Sequence, residues 1–186
     1  MKRLSDWCGD NFSGGRITEL SVYKGDTYKL ELEGGQTFFI NCAIVADYDL
    51  HEGGEMDAEL LEKLQHADKM RKAKKRALYL LGSRMYSYNE LYKKLLPTYG
   101  EEASRAAADA MQEYGYIDDA DYAGKLAEKL IHGKHYGMSK TRWEMQSRGL
   151  DKNLIEDILA EYTDDEIDEE IMRLLRTKSV SYTQLT

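Results

Sequence analysis

The residues of this chain best suited to chemistry are cations spaced among flat rings. Lys72, Lys74, Lys75, Arg76 and Arg84 fall in one stretch, Lys93 and Lys94 in the next, and Lys134, Lys140, Arg142 and Arg148 in a third. Tyr86, Tyr88, Tyr92, Tyr136 and Trp143 interleave with them. Lysine and arginine neutralise phosphates and aromatic faces stack on bases, so the pattern fits a contact surface for a polyanion. The competing account makes the rings core and the cations solubilising. That account is preferred for Trp143, which falls where an earlier helix has Leu91. A contact role is preferred for Lys74-Lys75-Arg76.

Other reactive groups point away from catalysis. Asp118 and Asp119 are adjacent carboxylates at a helix start, where such residues serve as a cap and a dipole partner. His132 and His135 lie three apart, but their neighbours Gly133, Lys134 and Tyr136 supply no further metal ligand. Gly53-Gly54 runs into Glu55-Met56 and lacks the Lys-Ser or Lys-Thr of a phosphate loop. Cys8 and Cys42 are isolated thiols, which fits a reducing cytoplasm. No catalytic residue, metal or cofactor is expected. The rival reading as an enzyme finds no convergent set of His, Cys and carboxylate.

Charge is distributed unevenly. The chain has 186 residues and a formal net charge of −8. Residues 68–148 nevertheless hold 16 Lys/Arg against 11 Asp/Glu, a balance of +5. Residues 1–67 stand at −7 and residues 149–170 at −9. An anionic partner is therefore expected for the centre alone. No apolar run approaches the roughly 20 residues that cross a bilayer, and the N-terminus does not read as a signal peptide.

The positioning elements are helices that occur twice. The first copy runs roughly from Lys72 to Tyr116 and the second from Asp118 to Tyr162. Each has a helix, a Ser-initiated helix, then a Gly and a third helix ending in Tyr. A period near 45 residues implies an array of modules that cover each other's apolar faces. Such an array presents an extended surface without a deep pocket. Ser87 with Glu90 forms a capping box, and Ser139 is its expected counterpart. Pro97 should end its helix, with Glu101-Glu102 opening the next. The alanines at 103 and 106–108 permit close helix approach, and Tyr122 with Ala123 belongs to the joint between copies. Gly149 stands in the place of Gly100, and Asp151 caps the last helix of the second copy. Thr163 or Asp164 should open a third.

Ahead of the repeats the period changes to two. From Ile17 to Ile40 apolar and polar residues alternate, with Gly25-Asp26 and Gly34-Gly35 at turn positions, which predicts a three-stranded antiparallel β-meander. Ala43-Ile44-Val45-Ala46 reads as its helical cover. Asp57 caps a helix through Leu64, and a separate helix spans about 69–82. The fold class is mainly α with a small β part. The expected organisation is a flexible tail at 1–15, the meander with its helices at 16–67, three-helix modules at 68–116 and 117–162, and an incomplete third module at 163–186.

Particular residues also carry a family resemblance. Ala77-Leu78-Tyr79-Leu80-Leu81 with Arg84, Ser87, Glu90-Leu91 and Lys94-Leu95 is followed by Gly115-Tyr116-Ile117-Asp118-Asp119, Tyr122-Ala123, Gly137, Leu150 and Ile155. Across about residues 68–176 this order resembles RecX, a family of bacterial regulators of the RecA recombinase. The resemblance implies tandem three-helix modules, binding in the groove of a RecA filament on single-stranded DNA, a role in recombination and DNA repair, and no cofactor. Independently of the resemblance, the protein is expected in the cytoplasm, without a membrane partner and as a monomer. The alternative is a helical DNA-binding protein that acts on bare DNA without RecA.

Overall fold

The computed structural model describes residues 12, 14–163 and 172. The expected third module therefore lies almost wholly outside the described residues. The chain divides into two compact units, Met1–Lys75 and Arg76–Thr186.

In the first unit, alternation and turn glycines build the sheet. Strands β1 (Gly15–Lys24), β2 (Thr27–Leu32) and β3 (Thr37–Asn41) form the expected meander, with Leu20 opposite Leu30 and Leu30 opposite Phe38. A fourth strand, β4 (Glu55–Met56), pairs antiparallel with the start of β1, giving the order β3-β2-β1-β4. The three-strand expectation is corrected on this point. The extra strand follows from Gly53 and Gly54, whose backbones exchange hydrogen bonds of 2.8 Å with Ile17 and so bring Glu55 and Met56 alongside β1. One face of the sheet buries Ile17, Leu30, Leu32, Phe38 and Ile40. Ile44 of helix α1 (Cys42–Asp47) covers it as foreseen, together with Met56, Leu61 and Leu64.

Helix α2 (Ala58–Leu81) replaces the two helices expected here. Asp57 caps it, its Oδ1 accepting from Leu60 N at 2.7 Å. Asp68, between the two expected helices, pairs with Lys72 at 2.5 Å and Arg71 at 3.7 Å along the helix. No Gly or Pro intervenes, so nothing stops propagation.

The second unit holds the repeat. Segment α3 (Tyr88–Glu113) opens on the Ser87–Glu90 capping box and is interrupted at Gly100, whose non-helical φ of 72° and ψ of 178° separate two helical halves, the second opening at Glu101-Glu102 as expected. Pro97 belongs to the end of the first half, as expected. It falls in the last turn before Gly100, where its missing N–H removes one bond and the glycine makes the turn. Ala103, Ala107 and Ala108 are buried, as close packing requires.

Helix α4 (Asp119–Glu128) is capped by Asp118 and runs into a π-helical turn, Lys129–Gly133. Helix α5 (Met138–Ser147) starts from Gly137, so Ser139 lies inside it and caps nothing. Helix α6 (Lys152–Leu159) is capped by Asp151. Tyr122, Leu126, Leu130, Met145, Leu150, Ile155 and Leu159 share one buried cluster.

Two glycines end helices at positive φ, Gly115 at 74° and Gly149 at 75°. A Cβ on Gly115 would meet open space, but one on Gly149 would lie 2.5 Å from Cβ of Asn89. Gly149→Ala should therefore lose more stability than Gly115→Ala. The left-handed conformation alone costs about 1–3 kcal/mol for a non-glycine residue. Denaturant unfolding of both variants checks the order.

Candidate functional site

The second unit is organised around Glu90, the third residue of α3. Its Oε2 accepts from the Ser87 backbone N–H at 3.4 Å, completing the capping box. The same oxygen accepts the Tyr122 hydroxyl at 2.9 Å. Arg84 approaches Oε2 at 3.5 Å, and Arg148 approaches Oε1 at 3.7 Å. Arg148 also donates to the Tyr122 hydroxyl at 3.1 Å.

Further bonds join the two copies along the same seam. The Ser87 hydroxyl donates to the Arg148 carbonyl at 2.6 Å, and Asn89 Nδ2 donates to the Gly149 carbonyl at 2.5 Å. Tyr88 N donates to Asp119 Oδ1 at 2.8 Å. Asp118 thus caps α4 while Asp119 reaches the other copy, and Tyr122 sits in the joint as expected. Burial raises the pKa of Asp119, against the Tyr88 N–H that lowers it. Burial likewise raises the Tyr122 phenol.

A groove of about 410 Å³ opens beside this joint. Arg84, Lys125, Lys129, Lys134 and Arg148 contribute its cations, while Met85, Tyr122, Leu126 and Leu130 contribute apolar surface. It forms because Arg84 and Arg148 converge on Glu90 from the two copies while α4 and the π turn supply the facing wall. Lys125 and Lys129 were not among the expected contact residues. Their signal is the four-residue spacing Asp121, Lys125, Lys129, one stripe of a helix.

The expected contact residues separate into groups. Lys72 is paired with Asp68, and Arg84 and Arg148 with Glu90. Arg142 makes a two-point contact with Glu156 at 2.8 and 3.0 Å. Lys134 and Lys140 share the Tyr136 ring, at 5.6 and 3.7 Å from its centroid. Arg76 lies over Tyr79 at 5.0 Å. Lys74, Lys75, Lys93 and Lys94 are exposed and have no ion pair among the described residues.

Trp143 is 64% exposed, which overturns its expected place in the core. Counting from the true cap at Gly137, the residues matching Leu91 and Leu95 are Thr141 and Met145, both 0% exposed. His132 packs on the Tyr162 ring at 5.8 Å. Among the described residues no group of His, Cys, Asp and Glu could hold a metal, and no helix is long and apolar enough to cross a membrane.

Architecture and site define a class: a small antiparallel sheet with helical repeats, whose joint gathers charges and hydrogen bonds. No protein-family model matches the chain. It is 28% identical over 148 residues to the regulatory protein RecX of Clostridium botulinum strain Alaska E43, covering 78% of this chain and 69% of that protein. To RecX of Leuconostoc citreum it is 30% identical over 154 residues, covering 81% of this chain and 57% of that one. A crystal structure of a regulatory protein RecX superposes with a TM-score of 0.71 at 23% identity, over 89% of this chain and 84% of that chain. RecX from Lactobacillus salivarius gives 0.56 at 22%, over 64% and 79%. The chain is similar in sequence to regulatory proteins named RecX and shares the fold of RecX crystal structures.

Two outcomes follow for the joint. Tyr122→Phe leaves Glu90 and Arg148 without the hydroxyl between them. Hydrogen bonds to charged groups contribute about 1.5–3 kcal/mol, so equilibrium unfolding should show a loss of that order. Tyr88 is raised from 10.0 to about 12 by burial and by its 2.6 Å bond to Asp109. Its contribution to stability is full below pH 10 and is lost as pH rises through about 12. The tyrosinate absorbance missing from Tyr88→Phe should therefore titrate near pH 12; a midpoint at 10 would contradict the assignment.

Proposed function

We propose that this chain binds RecA filaments on single-stranded DNA and lowers recombinase activity, acting as a cytoplasmic monomer without catalysis. Similarity to RecX regulatory proteins supports the regulatory class. The observation that carries the finer reading is the set of exposed lysines, Lys74, Lys75, Lys93 and Lys94, without carboxylate partners among the described residues. Such cations can exchange counterions for phosphates without first giving up an internal ion pair.

Arg76, Lys134 and Lys140 extend the contact set, and their ring contacts leave the charge in place. The exposed Trp143 is available to stack on a base. Lys72, Arg84, Arg142 and Arg148 contribute mainly to the local field, because each already faces an internal carboxylate. Contacts from the modules at 68–116 and 117–162 act together, so weak individual contacts gain through effective concentration.

The test reverses charge at three neighbouring residues, Lys74→Glu, Lys75→Glu and Arg76→Glu together. Binding to fluorescent RecA–DNA filaments should weaken by at least about tenfold, or about 1.4 kcal/mol, at moderate salt. Circular dichroism confirms the fold, and RecA's ATPase rate reports the regulatory effect. Unchanged affinity would remove these residues from the interface. Equal affinity for bare duplex and filament would favour the DNA-binding alternative.

A further inference from the structure

The groove beside the Glu90 joint has a chemistry distinct from that of the exposed lysines. Bases on a single strand are held by open aromatic faces. The groove offers none. Tyr122 is 7% exposed with its hydroxyl between Glu90 and Arg148. Tyr86 is 8% exposed, with the Arg84 guanidinium 3.7 Å above its ring. The open surface is aliphatic instead. Met85 is 41% exposed between the cations, and Leu126 and Leu130 lie beneath.

The cations are arranged for carboxylates. Glu90 already shows the geometry, lying within 3.5 Å of Arg84 and 3.7 Å of Arg148. Farther along the groove, Lys129 and Lys134 have no ion pair among the described residues. Lys129 stands on the π-helical turn, an element that recurs at functional sites. A space of about 410 Å³ falls within the range of ligand clefts. It is large enough for an aliphatic side chain with flanking acidic groups.

We propose that this groove is a docking site for an acidic protein segment that inserts an aliphatic side chain against Met85 and places carboxylates on Lys129 and Lys134. Charge complementarity selects the occupant, and Met85 adapts to its shape. The proposal goes beyond filament binding and does not depend on it.

The probe is a fluorescein-labelled peptide of twelve residues, glutamates with leucines four apart, titrated into the full chain by anisotropy. Binding should weaken at least about tenfold with Lys129→Glu and also with Met85→Ser. A peptide of equal charge with serines for leucines should bind at least about tenfold more weakly. Labelled methionine methyls read by NMR, with Met85→Leu for assignment, should show the Met85 signal shifting. Equal binding of the serine peptide would reduce the effect to surface charge and overturn the proposal. So would oligothymidylate competing at the Met85 signal with equal affinity. A tenfold gain in peptide binding on neutralising Asp164, Asp165, Glu166, Asp168, Glu169 and Glu170 would make that run of this chain the occupant, and would also overturn it. Neither Lys129 nor Met85 belongs to the proposed filament contacts, so loss of peptide binding leaves filament affinity as an independent measurement.

Discussion

Glu90 meets conflicting demands, and the second unit depends on how they are met. Its side chain is 18% exposed, so its charge is largely removed from water. Leaving such a carboxylate without partners would be strongly destabilising. The capping box satisfies one direction, Tyr122 a second, and Arg84 with Arg148 balance the charge. Those partners come from both copies of the repeat. The cap of one helix has therefore become the joint of the array. A hydrophobic seam alone allows sliding, whereas Ser87 on the Arg148 carbonyl and Asn89 on the Gly149 carbonyl fix one register. Gly149 is required for that fit, because any side chain there would displace Asn89.

The same joint sorts the cations by role. Arginine suits the positions facing Glu90 and Glu156, since its planar donors satisfy a carboxylate at several points. Lysine dominates where no ion pair forms among the described residues, as at Lys74, Lys75, Lys93 and Lys94. Composition presents all of them as one basic stretch. Pairing distances divide them into charges that hold the fold together and charges free to act outward.

Much of the fold was legible where one local signal sufficed. The Ser87–Glu90 box, the turn glycines of the sheet, Asp57, Asp118 and Asp151 are such cases, each acting within a few residues. The readings that changed needed information from farther away. Ser139 lacks a glutamate three residues on, having Arg142 there, and the cap falls at Gly137. That two-residue offset moved Trp143 from an inferred core position to the exposed side, where Lys93 stands in the first copy. Strand β4 is two residues long and has no period to detect. Among candidate site residues, types and stretches were readable, but whether an arginine faced its own carboxylate depended on residues up to 58 positions away, as with Glu90 and Arg148.

The groove also follows from this logic. Two arginines drawn from opposite copies onto one carboxylate leave the rest of their guanidinium surfaces facing α4 and the π turn. The stripe of Lys125 and Lys129 then adds like charge across a narrow space. Lys125 is balanced by Asp121 at 2.7 Å, while Lys129 has no such acid among the described residues. Like charges held across a partly apolar cleft repel one another and gain most from an anion that also displaces water from Met85. The stability of the joint and the positive charge of the groove therefore share one origin: the convergence on Glu90 that fixes the repeat also concentrates positive charge beside it.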